Sequence, residues 1–126
     1  MSSTVTLVTG SSGFVGRVVV SRLAAAGHRA VGLDPVPAAT TQVIDDLSGC
    51  DRLRSLLERE HVTHIIHAGG VSGPMVMADD PAGVIATNVT GSMNDRSSIA
   101  SVRQRARSRR KACACPSVRP SPAAAA

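Results

Sequence analysis

Thr9-Gly10-Ser11-Ser12-Gly13-Phe14-Val15-Gly16 is a glycine-rich turn between two apolar patterns of different period. Before it, Val5, Leu7 and Val8 form a short apolar run. Val5–Thr9 reads as a strand buried on both faces, in the manner of a parallel sheet. After it, Val15, Val18, Val19 and Leu23 recur at helical spacing, with Arg17 and Arg22 left for solvent. Residues 14–26 therefore read as a helix that Gly27 closes. A turn of this kind is a phosphate-binding device. Gly10 allows the tight exit from the strand, Gly13 lets a pyrophosphate approach the backbone, and Gly16 lets the helix pack close to the strand. The unpaired N–H groups at the helix start then face the phosphates, aided by the helix dipole. The spacing is G-x-x-G-x-x-G rather than the commoner G-x-G-x-x-G. Its place between a strand and a helix favours a dinucleotide site over a purely structural turn.

Further along, the apolar run Ala30–Leu33 ends at Asp34, 18 residues after Gly16, close to the ~20 expected of a ribose-binding carboxylate. A carboxylate there accepts hydrogen bonds from both ribose hydroxyls and repels a 2′-phosphate, which favours NAD over NADP. The competing reading is a turn aspartate before Pro35. Val43-Ile44 leads into Asp45-Asp46-Leu47. Asp51 to Glu60 is a helix with Leu53, Leu56 and Leu57 on one face, His64 to Gly70 a strand and its exit turn, and Asp80-Pro81 the start of another helix. Strands alternating with helices give an α/β class: part of a Rossmann-like, doubly wound parallel sheet of three to four strands. His61, His64 and His67 fall on alternating faces of a strand and lack a Cys or Glu partner, so no metal site is expected.

TGSSGFVG resembles the TGxxGFxG motif of the extended short-chain dehydrogenases, the NAD-dependent epimerase/dehydratase family. Phe14 separates that pattern from the TGxxxGxG of the shorter reductases. The resemblance covers residues 4–94. It implies a cofactor loop of Gly10, Ser12, Gly13, Phe14, Val15 and Gly16, with Asp34 on the adenosine ribose. The family's short strand ending in Asp plus an aliphatic residue matches Asp46 and Leu47, which the resemblance places at the adenine. For Asp46 a turn or helix-cap role stands equally open. His64-Ile65-Ile66-His67-Ala68-Gly69-Gly70 is similar to the VxHxAA stretch that passes under the cofactor, which adds Ala68, Gly69 and Gly70. Asn88-Val89-Thr90-Gly91-Ser92-Met93-Asn94 resembles NVxGTxN, in which the first Asn, here Asn88, holds the loop after a strand near the cofactor. The cofactor implied is NAD, and the substrate of a full-length relative a sugar or nucleotide sugar.

The pattern breaks at Asp95-Arg96. Residues 1–95 carry nine acids and six arginines, net −3, while residues 96–126 carry eight cations and no acid. The division expected is a nucleotide-binding part over 1–95 and a disordered Arg/Ala/Pro-rich tail over 96–126, the latter either a genuine extension or the product of a shifted reading frame. Without a further strand, the first strand is expected to become an open edge prone to self-association. The family's catalytic pair is a Tyr and a Lys four residues later. This chain has no Tyr, and its single Lys is Lys111. No catalytic residue is assigned, and the chain is expected to be inactive by itself. The alternative is a non-enzymatic binding protein whose arginine tail engages nucleic acid, though no aromatic residue interleaves with the cations. The absence of a run of ~18 apolar residues argues against a membrane span, and a cytoplasmic location is expected. Gly13→Val is expected to abolish dinucleotide binding, by filling the pyrophosphate's space and resisting positive φ.

Overall fold

The computed structural model describes residues 4–72 and 77–113. In chain order the elements are β1 (Val5–Thr9), α1 (Phe14–Ala25), β2 (Arg29–Asp34), β3 (Val43–Ile44), α2 (Cys50–Arg59), β4 (His64–His67), α3 (Pro81–Ile85), a π-helical turn (Ala86–Thr90) and α4 (Gly91–Cys113). The four strands form one parallel sheet in the order β3-β2-β1-β4. β1 is central and all five of its residues are buried, which is why its apolar run does not alternate.

Alternation in the strands assigns the two faces. Val5 and Leu7 of β1, with Val31 and Leu33 of β2, face Leu53, Leu56 and Leu57 of α2 and Val62, and Ile65, Ile99 and Val102 pack on the same cluster. Leu57 is fully buried. A leucine side chain so placed contributes about 1.5–3 kcal/mol, and three of them on one turn-and-a-half of α2 fix its roll. α2 and α4 lie against each other on this face of the sheet. On the other face α1 covers Val8 with Val20. Just past the end of α1, Gly27 has φ of +75° and lets His28 N–H reach the Leu23 carbonyl, a left-handed turn that few other residues adopt without strain.

Two expectations change. β1 is not an open edge. The two-residue β3 is the third strand of the sheet, so His64–His67 is the fourth, and it crosses back to pair with β1 through Thr6↔His64 to Thr9↔His67. Among the described residues the open edge on that side is β4 itself, whose residues are exposed or half-buried. Nor does order end at residue 95, since α4 runs on to Cys113. Asp95, Ser98, Ile99 and Val102 recur at helical spacing and turn inward. Arg103 donates to the Thr63 carbonyl at 2.9 Å, and Arg105 pairs with Glu58 at 3.4 Å. Two polar residues among four inward positions had hidden the period. Residues 114–126 lie outside the described part. His64 and His67 do face opposite sides of β4, His64 with Ile66 and His67 with Ile65.

Candidate functional site

All four strands end at one cavity of about 480 Å³. Gly10 and Gly13 come from the turn after β1, Asp34 and Pro35 from the end of β2, Asp46 to Ser48 from the turn after β3, and Ala68 to Val71 from the exit of β4. Ala86, Thr87, Thr90 and Gly91 close the far side. Ligands of doubly wound sheets bind at the carboxyl ends of the strands, where the chain reverses its direction across the sheet. Here that point lies between β1 and β4.

The glycine turn is fixed by two close approaches. Gly10 has φ +70°, and a Cβ on it would lie 2.5 Å from the carbonyl of Ala68 and the nitrogen of Gly69. A Cβ on Gly16 would overlap the Gly10 carbonyl oxygen, so the first turn of α1 sits directly on the loop. Gly13 differs. It is the N-terminal cap residue of α1, with φ −76° and ψ 170°, an extended conformation open to any residue. The positive φ expected at Gly13 is therefore not found, and a Cβ there would lie 3.3 Å from the Gly10 carbonyl oxygen. Gly13 N–H bonds to the Gly10 carbonyl at 3.0 Å. No side chain caps α1, so the N–H groups of its first turn have no intrahelical partners.

Asp34 lies at the tip of β2 and is buried. Its Oδ1 accepts from Val36 N–H at 2.8 Å and its Oδ2 from Ser12 N–H at 3.2 Å. A carboxylate has about four lone-pair sites, so one on each oxygen stays available on the cavity side. Asp46 lines the cavity too, while its Oδ1 accepts from Ser48 Oγ at 2.5 Å and Ser48 N–H at 2.9 Å. Those bonds, chiefly the hydroxyl, hold it below the usual carboxylate range. Asp46 is thus a turn residue that also lines the cavity, and the cap of α2 is Gly49. Asn88, in the π-helical turn, grips the loop after β4 at two points: Oδ1 accepts from Val71 N–H at 2.7 Å and Nδ2 donates to the Val71 carbonyl at 2.9 Å.

Eight of the residues singled out in the sequence line the cavity: Gly10, Gly13, Asp34, Asp46, Leu47, Ala68, Gly69 and Gly70. Five do not. Phe14, 90% exposed, and Val15 point to solvent from the first turn of α1. Gly16 packs beneath Gly10 and Asn88 acts from behind the loop. Ser12 is turned away, its hydroxyl donating to the Val36 carbonyl and meeting Thr41 Oγ1 at 2.7 Å. The sequence reading missed the loop that receives it. Ser11, fully buried, meets Thr41 Oγ1 at 2.6 Å, and Thr40 Oγ1 donates to the Ser11 carbonyl at 2.7 Å. Gln42 N–H and Oε1 bracket the backbone of Gly32 at 3.1 and 2.6 Å. The available signal was Gly32 itself, a glycine inside a strand, which marks a close backbone approach. A Cβ there would overlap the Thr40 carbonyl oxygen.

On the β4 side, His67 Nδ1 lies 2.7 Å from Thr9 Oγ1 and 2.7 Å from Asp95 Oδ2, and its Nε2 lies 2.8 Å from Ser92 Oγ. The Asp95 carboxylate sits off the ring N–H direction, and among the described residues its oxygens have no well-aligned hydrogen bond. Burial pushes Asp95 up to about 6, opposed by the nearby His67.

The family model described as "NAD dependent epimerase/dehydratase family" matches residues 6–105. A UDP-glucose 4-epimerase of Mycolicibacterium smegmatis is 30% identical over 100 residues, which cover 70% of this chain and 32% of that protein. Among solved structures, a short-chain dehydrogenase/reductase superfamily protein from Agrobacterium tumefaciens with bound NAD superposes with a TM-score of 0.66 at 28% identity, over 77% of this chain and 29% of that one. The Thermus thermophilus UDP-glucose 4-epimerase in complex with NAD gives a TM-score of 0.66 at 25% identity, over 75% and 33%. The chain spans about a third of the length of these relatives. With the match covering most of its length, the chain belongs to the NAD dependent epimerase/dehydratase family.

Proposed function

We propose that this chain is the NAD-binding N-terminal part of a sugar or nucleotide-sugar epimerase, dehydratase or dehydrogenase. One observation carries the reading: the Asp34 carboxylate and the open faces of Gly10 and Gly13 line the same cavity. In it, the first-turn N–H groups of α1 hold the pyrophosphate. Asp34 accepts from the ribose hydroxyls, Asp46 and Leu47 flank the adenine, and Ala68 to Gly70, pinned by Asn88, form the wall toward the second ribose. Bound NAD supplies a hydride acceptor. The chain's own contribution stops at binding and orientation, because a Tyr general acid/base is absent from the sequence and Lys111 is its one lysine. The nucleotide-sugar substrate belongs to relatives that span three times this length.

The compositional break at residue 95 is the ground for a shifted reading frame, while the family match continues to residue 105 and Ile99 and Val102 pack on the core. The gene sequence at that codon tests it. The arginines of α4 support nucleic-acid binding less well, since Arg103 and Arg105 are tied to Thr63 and Glu58. No helix among the described residues is long and apolar enough to cross a membrane, and the reading places the chain in the cytoplasm. Self-association is proposed to run along the open β4 edge. Calorimetric titration of the chain with NAD and NADP tests the function. NAD is expected to bind more tightly, and Asp34→Ala to abolish the preference. Equal or tighter NADP binding by the unaltered chain overturns the assignment of Asp34.

A further inference from the structure

The bonds around Asp34 form a closed ring. Ser12 N–H donates to Asp34 Oδ2, Val36 N–H donates to Asp34 Oδ1, and the Ser12 hydroxyl donates to the Val36 carbonyl. The carboxylate is therefore aimed by the position of Ser12. That position has its own anchor. Because the Ser12 hydroxyl spends its hydrogen on a carbonyl, which only accepts, the Thr41 hydroxyl must donate to Ser12 Oγ across their 2.7 Å contact. Thr41 has then spent its own hydrogen, so the Ser11 hydroxyl must donate to Thr41 across 2.6 Å. The hydroxyls make one directed chain, Ser11 to Thr41 to Ser12 to Val36, with Thr41 in its middle. Thr41 is not itself one of the residues that line the cavity. Its loop is held against β2 by Gln42 on the Gly32 backbone and by Thr40 on the Ser11 carbonyl, so the hydroxyl has a fixed origin.

We propose that Thr41 is a positioning residue for cofactor choice: through Ser12 it fixes the direction of the Asp34 carboxylate and so sets how strongly the site prefers a 2′-hydroxyl to a 2′-phosphate. This rests on the NAD reading given above. Two ribose hydroxyls are recognised together only by a carboxylate held in one orientation. A carboxylate free to swing loses part of that recognition, and it can also turn its charge away from an incoming 2′-phosphate. Losing the anchor therefore weakens NAD binding and leaves NADP binding level or slightly improved. A role confined to stability would weaken both alike.

The full-length chain and its Thr41→Val, Thr41→Ser and Ser11→Ala/Thr41→Val variants are titrated calorimetrically with NAD and with NADP. Thr41→Val keeps the shape and removes the hydroxyl. It is expected to weaken NAD about tenfold, 1.4 kcal/mol, with NADP unchanged within about twofold. Thr41→Ser restores the unaltered preference. Thr41→Val leaves the Ser11 hydroxyl buried without an acceptor, which is itself destabilising. The double variant removes both hydroxyls together and carries the same test should the single one not fold. A preference unchanged in both valine variants, or an equal loss for the two cofactors, overturns the role of Thr41 and leaves the NAD reading intact. An unaltered chain that binds neither cofactor overturns the NAD reading and this inference with it.

Discussion

Two regions of the molecule, the loops around Asp34 and the seat of α4, are built to different standards. In the loops around Asp34, Ser11, Ser12, Thr40, Thr41, Gln42 and Asp34 all have hydrogen-bond partners, several of them about 30 residues away in sequence. Where α4 packs on β4 and α2, the buried Asp95 carboxylate has His67 Nδ1 at 2.7 Å but no well-aligned hydrogen bond among the described residues, and Arg54 Nε of α2 is buried without one. A satisfied polar network rigidifies a region and specifies one arrangement, whereas a half-satisfied one costs more than apolar packing would. The glycine-loop half is therefore the more fully satisfied of the two, while α4 rests on Ile99 and Val102 with the Asp95 carboxylate buried beside His67.

The largest effects are expected where backbone meets backbone in the well-built half. Gly10→Ala forces a Cβ into the Ala68–Gly69 peptide at φ +70°, and Gly16→Ala forces one into the Gly10 carbonyl. Each is expected to destabilise by about 3 kcal/mol or more, enough to lower the melting temperature by ten degrees or to prevent folding. A melting curve unchanged by either would show that the loop does not sit on α1 as described. Next comes the poorly built half. Burial raises the Asp95 carboxyl from its ordinary value of 3.8 to about 6, so the folded chain binds its proton more tightly than the unfolded chain does. Stability from this group is then present below about pH 4 and lost as pH rises through 6. Asp95→Asn is expected to gain roughly 2 kcal/mol over the parent at pH 8 and nothing at pH 4. Urea melts at the two pH values measure it, and a gain equal at both would mean that charge burial is not the defect. The smallest stability effect sharpens the comparison from the other side. Gly13 already has an extended backbone, so Gly13→Ala is expected to change stability by less than about 1 kcal/mol while weakening NAD binding. A matched loss of stability would make Gly13 a structural residue like its two neighbours.

How much of this could be read from residues follows the same division. β1, α1, β2 and Asp34 were legible because each is announced locally, by an apolar run, a helical period, a glycine turn or an acid at a strand end. The hydroxyl chain was not, because Ser11, Thr40 and Thr41 have no period and meet only once α1 has returned the chain to lay β2 beside β1. The position of β4 was misjudged through one short element: Val43-Ile44 is two residues long, yet it pairs with β2 and takes the place of third strand. Counting it turns β1 from an edge into the centre. α4 was hidden by composition, since an aspartate and a serine occupy positions at which an apolar pair would have revealed the face.

The central place of β1 has a consequence for synthesis. The strand made first receives its second neighbour last, because Thr6 to Thr9 pair with residues 64 to 67. A ribosome adding about 5–20 residues per second needs some 3–12 seconds to cover that interval. Throughout it, the most thoroughly buried segment of the finished sheet has one bare side, which is a demand on chaperones set by topology alone.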